Sequence, residues 1–85
     1  MTVRVLMFGP LAQELGGRSV EVSVRAAEGG AARVEDVRAA LAERFPSRAG
    51  LLGAARLAVN GRIAGDGEVV READEVAVIE LVGGG

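Results

Sequence analysis

Apolar and polar residues alternate with two different periods along this chain, and the change of period marks out its elements. Thr2 to Phe8 is apolar and rich in β-branched residues, which predicts a first strand. Ser19 to Arg25 reads Ser-Val-Glu-Val-Ser-Val-Arg, a two-residue alternation that predicts a second strand with one buried face. Between them, Pro10 suits the start of a short helical turn over Leu11 to Leu15, which Gly16-Gly17 ends. Ala26 to Arg33 reads as a loop. From Val34 the period lengthens: Val34, Val37, Ala40, Leu41 and Phe45 fall on one helical face, with Glu35, Arg38, Glu43 and Arg44 elsewhere. Acidic Glu35 and Asp36 at the start and Arg44 at the end complement the helix dipole, and Pro46 stops the helix.

Beyond the helix, Ser47 to Ala55 reads as an irregular connection. Leu57-Ala58-Val59 then runs into Asn60-Gly61, a pair that tolerates positive φ and so predicts a hairpin. Arg62 to Gly67 is its short partner strand or a loop, and the acidic stretch Glu68 to Glu75 includes a turn at Asp74. Glu75 to Val82 is nearly continuous apolar residues, as expected of a central strand covered on both faces. The order β-β-α-β-(β)-β predicts an α+β domain, a mixed sheet with one main helix packed on one face. That is the shape of a ubiquitin-like β-grasp, in which first and last strands lie parallel at the sheet centre. Residues 1–82 are expected to form the domain and 83–85 a flexible glycine tail.

Composition narrows the chemistry. The 85 residues contain no Cys and no His, which removes thiolate nucleophiles, cysteine metal sites and the usual general base near neutral pH. Trp and Tyr are absent and the net charge is −2 with mixed signs, which argues against a nucleic-acid surface. No apolar run approaches the ~20 residues that span a bilayer. Met1-Thr2-Val3-Arg4 lacks the apolar core of a secretory signal, so a cytoplasmic protein is expected. All ten basic residues are arginine, so an activated acyl group finds no lysine amine on this chain. Asp66, Glu68, Glu72, Asp74 and Glu75 are read as a solvated turn rather than a cation site, and no bound metal or cofactor is expected.

What remains is the end of the sequence, Leu81-Val82-Gly83-Gly84-Gly85. A segment without side chains can stay extended, thread a narrow channel and present its carboxylate. Val5-Leu6-Met7-Phe8, Glu14-Leu15-Gly16, the helix from Val34, Ala58-Val59-Asn60-Gly61, Asp74-Glu75-Val76 and the glycine end follow one another as in a known family. Over essentially its whole length the chain resembles the small subunit of molybdopterin synthase, and it is also similar to the usually shorter sulfur carrier of the thiazole pathway.

The resemblance implies a carrier that is not catalytic alone. An ATP-dependent activating enzyme adenylates its terminal glycine, which is converted to a thiocarboxylate. The tail then enters the synthase large subunit and delivers sulfur to a pterin precursor. On that basis Gly85 is the sulfur-bearing residue, and Gly83 and Gly84 are the threading segment. The family usually ends in two glycines, so the third one here leaves Gly84 as an alternative site of the reacting carboxylate. Rival readings are a carrier for thiamine or a tungsten cofactor, an inert β-grasp interaction module, and a modifier that forms amide bonds with lysines.

Alternation also predicts a docking surface. If Arg4 faces solvent, Leu6 and Phe8 share its side, and if Glu80 does, Val76 and Val78 share its side. These four are expected to form an exposed apolar patch beside the tail, unless a loop such as Arg48 to Arg56 covers it.

Overall fold

The computed structural model describes residues 1–26 and 29–79, so the tail 83–85 and the end of the predicted last strand lie outside the described residues. In chain order the elements are β1 (Thr2–Leu6), α1 (Gly9–Leu15), β2 (Ser19–Ser23), β3 (Ala32–Arg33), α2 (Val34–Arg44), α3 (Ala49–Ala54), β4 (Arg56–Val59), β5 (Arg62–Ala64), β6 (Val69–Val70) and β7 (Val76–Ile79). A 3₁₀ turn, Pro46–Arg48, joins α2 to α3.

Five strands form the main sheet in the order β2-β1-β7-β4-β5. The central pair β1 and β7 is parallel, with Val5 beside Val76 and Leu6 beside Ala77, and the other neighbours are antiparallel. This is the expected β-grasp arrangement, with first and last strands side by side at the centre.

Large aliphatic side chains decide which face of the sheet is covered. Val3, Val5 and Met7 of the first strand, Leu57 of β4, and Val76 and Val78 of β7 all turn inward. They meet Val34, Val37 and Leu41 of α2, Leu11 of α1 and Leu52 of α3 in one cluster. All three helices therefore pack on the same face. With so few aromatic residues, each Leu or Val fills a defined part of the core, and close packing makes lost methylenes costly.

Several connections differ from the sequence expectation. Ser47 to Ala55 is not irregular but holds the 3₁₀ turn and α3, whose six residues are too few to show a period and which is held by burial of Leu52. The loop after β2 and the acidic stretch after β5 contribute β3 and β6, a two-residue ladder pairing Ala32 with Val70 and Arg33 with Val69. That ladder buries Ala32 and Val70 and brings residues 65–68 against the start of α2. There, the Val34 and Glu35 N–H groups donate to the Glu68 and Asp66 carbonyls at 3.0 and 3.1 Å. These carbonyls satisfy two of the amides a helix leaves unpaired at its start. Arg38 forms an ion pair with Asp66, and the Arg33 guanidinium donates to the Gly67 carbonyl at 2.7 Å.

Candidate functional site

The face of the sheet away from the helices carries the candidate site. Leu6 lies beside Ala77, Ala77 opposite Ala58, and Ala58 opposite Ile63, so one apolar row crosses β1, β7, β4 and β5. None of these four belongs to the core cluster. Ile63 is 55% exposed and Leu6 half-buried, while Ala77 and Ala58, at 9% and 7%, are shielded chiefly because they are small and lie between larger neighbours. Phe8, 57% exposed, continues the side of Leu6. Ile79 continues the side of Ala77, and opposite it on β4 stands Arg56. Because β1 and β7 run parallel, Phe8 and Ile79 lie toward the same end of the sheet. Ile79 is also the last described residue before Glu80.

This placement corrects half of the predicted patch. Leu6 and Phe8 are on the outer face as expected, but Val76 and Val78 are 0% and 1% exposed and point into the core. The inference from Glu80 assigned β7 the wrong parity. Volume gives the reason: opposite Val59 and Leu57, Val76 and Val78 fill space under α2 that Ala77 is too small to fill. The outer positions of β7 are Ala77 and Ile79. Ala58, Ile63, Ala77 and Ile79 were missed, although a signal existed for Ala58 and Ile63. In β4, Arg56 marks the solvent side and places Ala58 with it, and Asn60-Gly61 then fixes Ile63 opposite Ala58. Nor does the segment Arg48 to Arg56 cover this face, because α3 inserts Leu52 into the core from the other side.

The register of this face is set at the β4–β5 turn. Asn60 and Gly61 take φ values of 51° and 81°, the left-handed region that such a turn requires. The Asn60 N–H donates to the Glu75 carbonyl at 2.7 Å, and Asn60 Oδ1 accepts the Glu75 N–H at 2.9 Å. Asn60 Nδ2 also donates to Asp74 Oδ1 at 3.1 Å, while Asp74 Oδ2 accepts the Arg71 N–H at 2.8 Å. The Arg71 amide, followed by the Asn60 side chain, holds the Asp74 carboxyl below its ordinary value. The acidic stretch is thus a hydrogen-bonded turn that delivers β7 to the sheet centre. Among the described residues no three Asp or Glu side chains converge so as to hold a metal ion.

Charge frames the row. Arg4 and Arg56 are exposed on the outer face, and neither makes a hydrogen bond or ion pair among the described residues. An open cleft of about 650 Å³ adjoins one corner, between Phe8, Gly9, Ala12, Gly17 and Arg18. Its polar side chains are Gln13 and Arg18, an amide and a guanidinium. Gly83, Gly84 and Gly85, the predicted tail and reacting terminus, lie outside the described residues. The described outer face is apolar at its centre, with Arg4 and Arg56 at its margin.

Residues 5–85 match the ThiS family. The chain belongs to that family. Its members are ubiquitin-like sulfur carriers, and the match runs through the glycine end of the sequence. No curated protein matches the chain. Among solved structures, SAMP1 of Haloferax volcanii is 28% identical over 100% of both chains, with a TM-score of 0.79. A protein of Pyrococcus furiosus assigned as molybdopterin converting factor subunit 1 is 24% identical, with 92% and 94% of the two chains covered and a TM-score of 0.73. A complex of subunits 1 and 2 of the molybdopterin-converting factor from Helicobacter pylori contains a chain 19% identical, covered in full on both sides, with a TM-score of 0.62. The last two likenesses show the shared fold. No helix among the described residues is long and apolar enough to cross a membrane.

Proposed function

We propose that this ThiS-family chain is the sulfur-donating subunit of a molybdopterin synthase, acting through the carboxylate of Gly85. The single observation that carries the proposal is the family match extending to residue 85, where the sequence ends in Gly83-Gly84-Gly85. A carboxylate is a poor acyl donor. In the proposed reaction its oxygen attacks the α-phosphorus of ATP in the activating enzyme and pyrophosphate leaves. A sulfur nucleophile then displaces AMP to give the thiocarboxylate. The acyl-adenylate survives only where water is excluded, and a tail without side chains is suited to entering such a site. The catalytic groups come from the partners, as the absence of Cys and His from this chain requires.

In this proposal the body of the domain is the handle. The row Leu6, Ala77, Ala58 and Ile63, with Phe8 and Ile79 above it, docks on the large subunit and on the activating enzyme. The parallel strand β7 reaches Ile79, the last described residue, at the same end of the sheet as Phe8. The two-subunit complex from Helicobacter pylori supports a large-subunit partner for a domain of this shape.

A second reading has its own support. The Haloferax volcanii protein that is 28% identical is a small archaeal modifier protein, which favours attachment to target proteins by amide bonds. Mass spectrometry of the intact chain, after incubation with ATP, an activating enzyme and a sulfur source, separates the readings. Replacement of one oxygen by sulfur at Gly85 is the expected result, and a variant lacking Gly84 and Gly85 should show no such change and no precursor conversion. Protein-sized amide adducts would establish the modifier reading instead. An unchanged mass beside a competent control carrier would leave an inert interaction module and overturn the proposal. Sulfur loading without pterin conversion would move the carrier to another pathway, such as thiamine or tungsten-cofactor synthesis.

A further inference from the structure

Strand β2 is one of the two edges of the main sheet and is bonded to β1 alone. Its ladder shows which way its amides point. The Met1 amine donates to the Val24 carbonyl at 3.0 Å, the Val24 N–H returns to the Met1 carbonyl at 2.7 Å, and the Met7 N–H donates to the Arg18 carbonyl at 2.7 Å. Even-numbered residues of this segment therefore turn their backbone groups toward β1. Antiparallel alternation leaves the N–H and C=O groups of Ser19, Glu21, Ser23 and Arg25 facing outward. Among the described residues, none of these groups is used by a turn, loop or cap hydrogen bond.

Exposed edges are commonly blunted by proline, lysine or a bulge. Here the register from Thr2–Ser23 to Leu6–Ser19 is unbroken, the strand has no proline, and the chain has no lysine. Grooves between this edge and α2 are lined by Ser23, Ala39 and Ala40 together with the charged Asp36, Glu43 and Arg44.

We infer that the β2 edge pairs with the β2 edge of a second copy of this chain, antiparallel about a two-fold axis through Val22. In that register Glu21 lies opposite Ser23 of the second copy and Ser19 opposite its Arg25, so every outward backbone group from Ser19 to Arg25 is paired. Buried-side Val20 lies opposite Val24 of the second copy, keeping both apolar faces aligned. Glu21 stands diagonal to Arg25 of the second copy, a spacing of about 7–8 Å that long side chains bridge. Glu21 stands opposite Arg4 in the β1 ladder, and among the described residues neither the Glu21 nor the Arg25 side chain closes a hydrogen bond or ion pair. Full pairing from Ser19 to Arg25 favours this register over one centred on Ser23, and charge rules out one centred on Glu21, which would set two carboxylates face to face. Charge also selects the occupant, since the Glu21…Arg25 pattern is complementary to itself under two-fold rotation. The axis is perpendicular to the sheet, so both outer apolar rows stay uncovered on one side, and this pairing stands independently of the proposed sulfur chemistry.

Such an edge contact is small, so association is expected at the weak end of specific interfaces. Sedimentation velocity on the full chain, from about 10 µM to about 1 mM, should show reversible monomer–dimer exchange. The substitution E21P removes an outward N–H without touching the β1 ladder, a place where an edge strand tolerates proline, and should weaken the dimer at least tenfold. The charge pair supplies a second test that does not depend on backbone change. E21R and R25E should each weaken dimerisation, and the double variant E21R/R25E should restore it. A monomer throughout the range, a dimer indifferent to these substitutions, or no recovery in the double variant would overturn the inference. Loss of the dimer on I63D would likewise overturn it and place the contact on the outer face.

Discussion

Asn60 and Glu75 hold each other by a reciprocal pair of hydrogen bonds: the Asn60 N–H donates to the Glu75 carbonyl, and the Glu75 N–H donates to the Asn60 side-chain oxygen. One residue is the first of a tight turn and the other immediately precedes β7. Their contact therefore ties the β4–β5 hairpin to the strand from which the glycine segment follows, and it fixes which β7 side chains face out.

Substitution at Asn60 tests this tie. Asn60→Ala places a residue with no turn-forming side chain at φ 51° and deletes the bond to Glu75. A loss of about 1–3 kcal/mol is expected in urea unfolding. Asn60→Gly keeps the turn geometry but not the side-chain bonds, and should lose less. No loss for Asn60→Gly would show that the side chain contributes nothing beyond conformation.

Acid should weaken the fold in a defined window. Asp74 and Glu14 both have carboxyl pKa values lowered in the folded chain, Asp74 chiefly by the Arg71 amide and Glu14 chiefly by its hydrogen bond with Arg48. A lowered folded value means that stability is fully present above the unfolded values, 3.8 and 4.5, and is lost as pH falls through the folded ones. The urea midpoint should thus hold steady from neutrality to just above the Glu14 value and fall below it. Asp74→Asn should lower the midpoint at pH 7 and shrink the drop between pH 7 and pH 3. A wild-type midpoint that holds steady between pH 5 and pH 3 would contradict this account.

The two faces of the sheet should respond differently to a charge. Val78→Asp buries a carboxylate in the core and is expected to unfold the domain, and Leu41→Ala should cost about 2–5 kcal/mol. Ile63→Asp should leave stability within about 0.5 kcal/mol, because its side chain is exposed. If the outer row is the docking face, Ile63→Asp should weaken capture by the large subunit at least tenfold, about 1.4 kcal/mol, measured by calorimetry. Undiminished binding by a folded Ile63→Asp would remove this face from the interface.

The lysine-free composition carries its own prediction. Incubated with an activating enzyme and ATP, the chain should form no lysine-linked conjugates with itself, since it offers no ε-amine. Introducing one at the exposed Arg62 by Arg62→Lys would supply the acceptor. Peptide mapping should find an amide cross-link there only if the carrier also acts as a modifier.

How far the fold could be read follows from how local each signal is. The helix from Val34, the alternating Ser19 strand and the Asn60-Gly61 turn announce themselves within a few residues, and all three stand where expected. The short helix Ala49–Ala54 and the two-residue ladder of Ala32–Arg33 with Val69–Val70 depend on distant partners and leave no period behind. The docking row was half legible for the same reason. Leu6 and Phe8 could be oriented by nearby Arg4, but a strand reading Val-Ala-Val-Ile offers no polar residue to mark its outer side. Only the pairing of Ala77 with Leu6 and Ala58 settles it.

The parallel pairing of Val5 with Val76 has a temporal consequence. A nascent chain emerging from the ribosome carries β1 early, yet the middle of its sheet stays vacant until nearly everything else has been synthesised. Assembly of this domain accordingly waits for β7. An enzyme that grips the completed sheet would pass over unfinished or broken chains, so recognition of shape doubles as inspection of integrity.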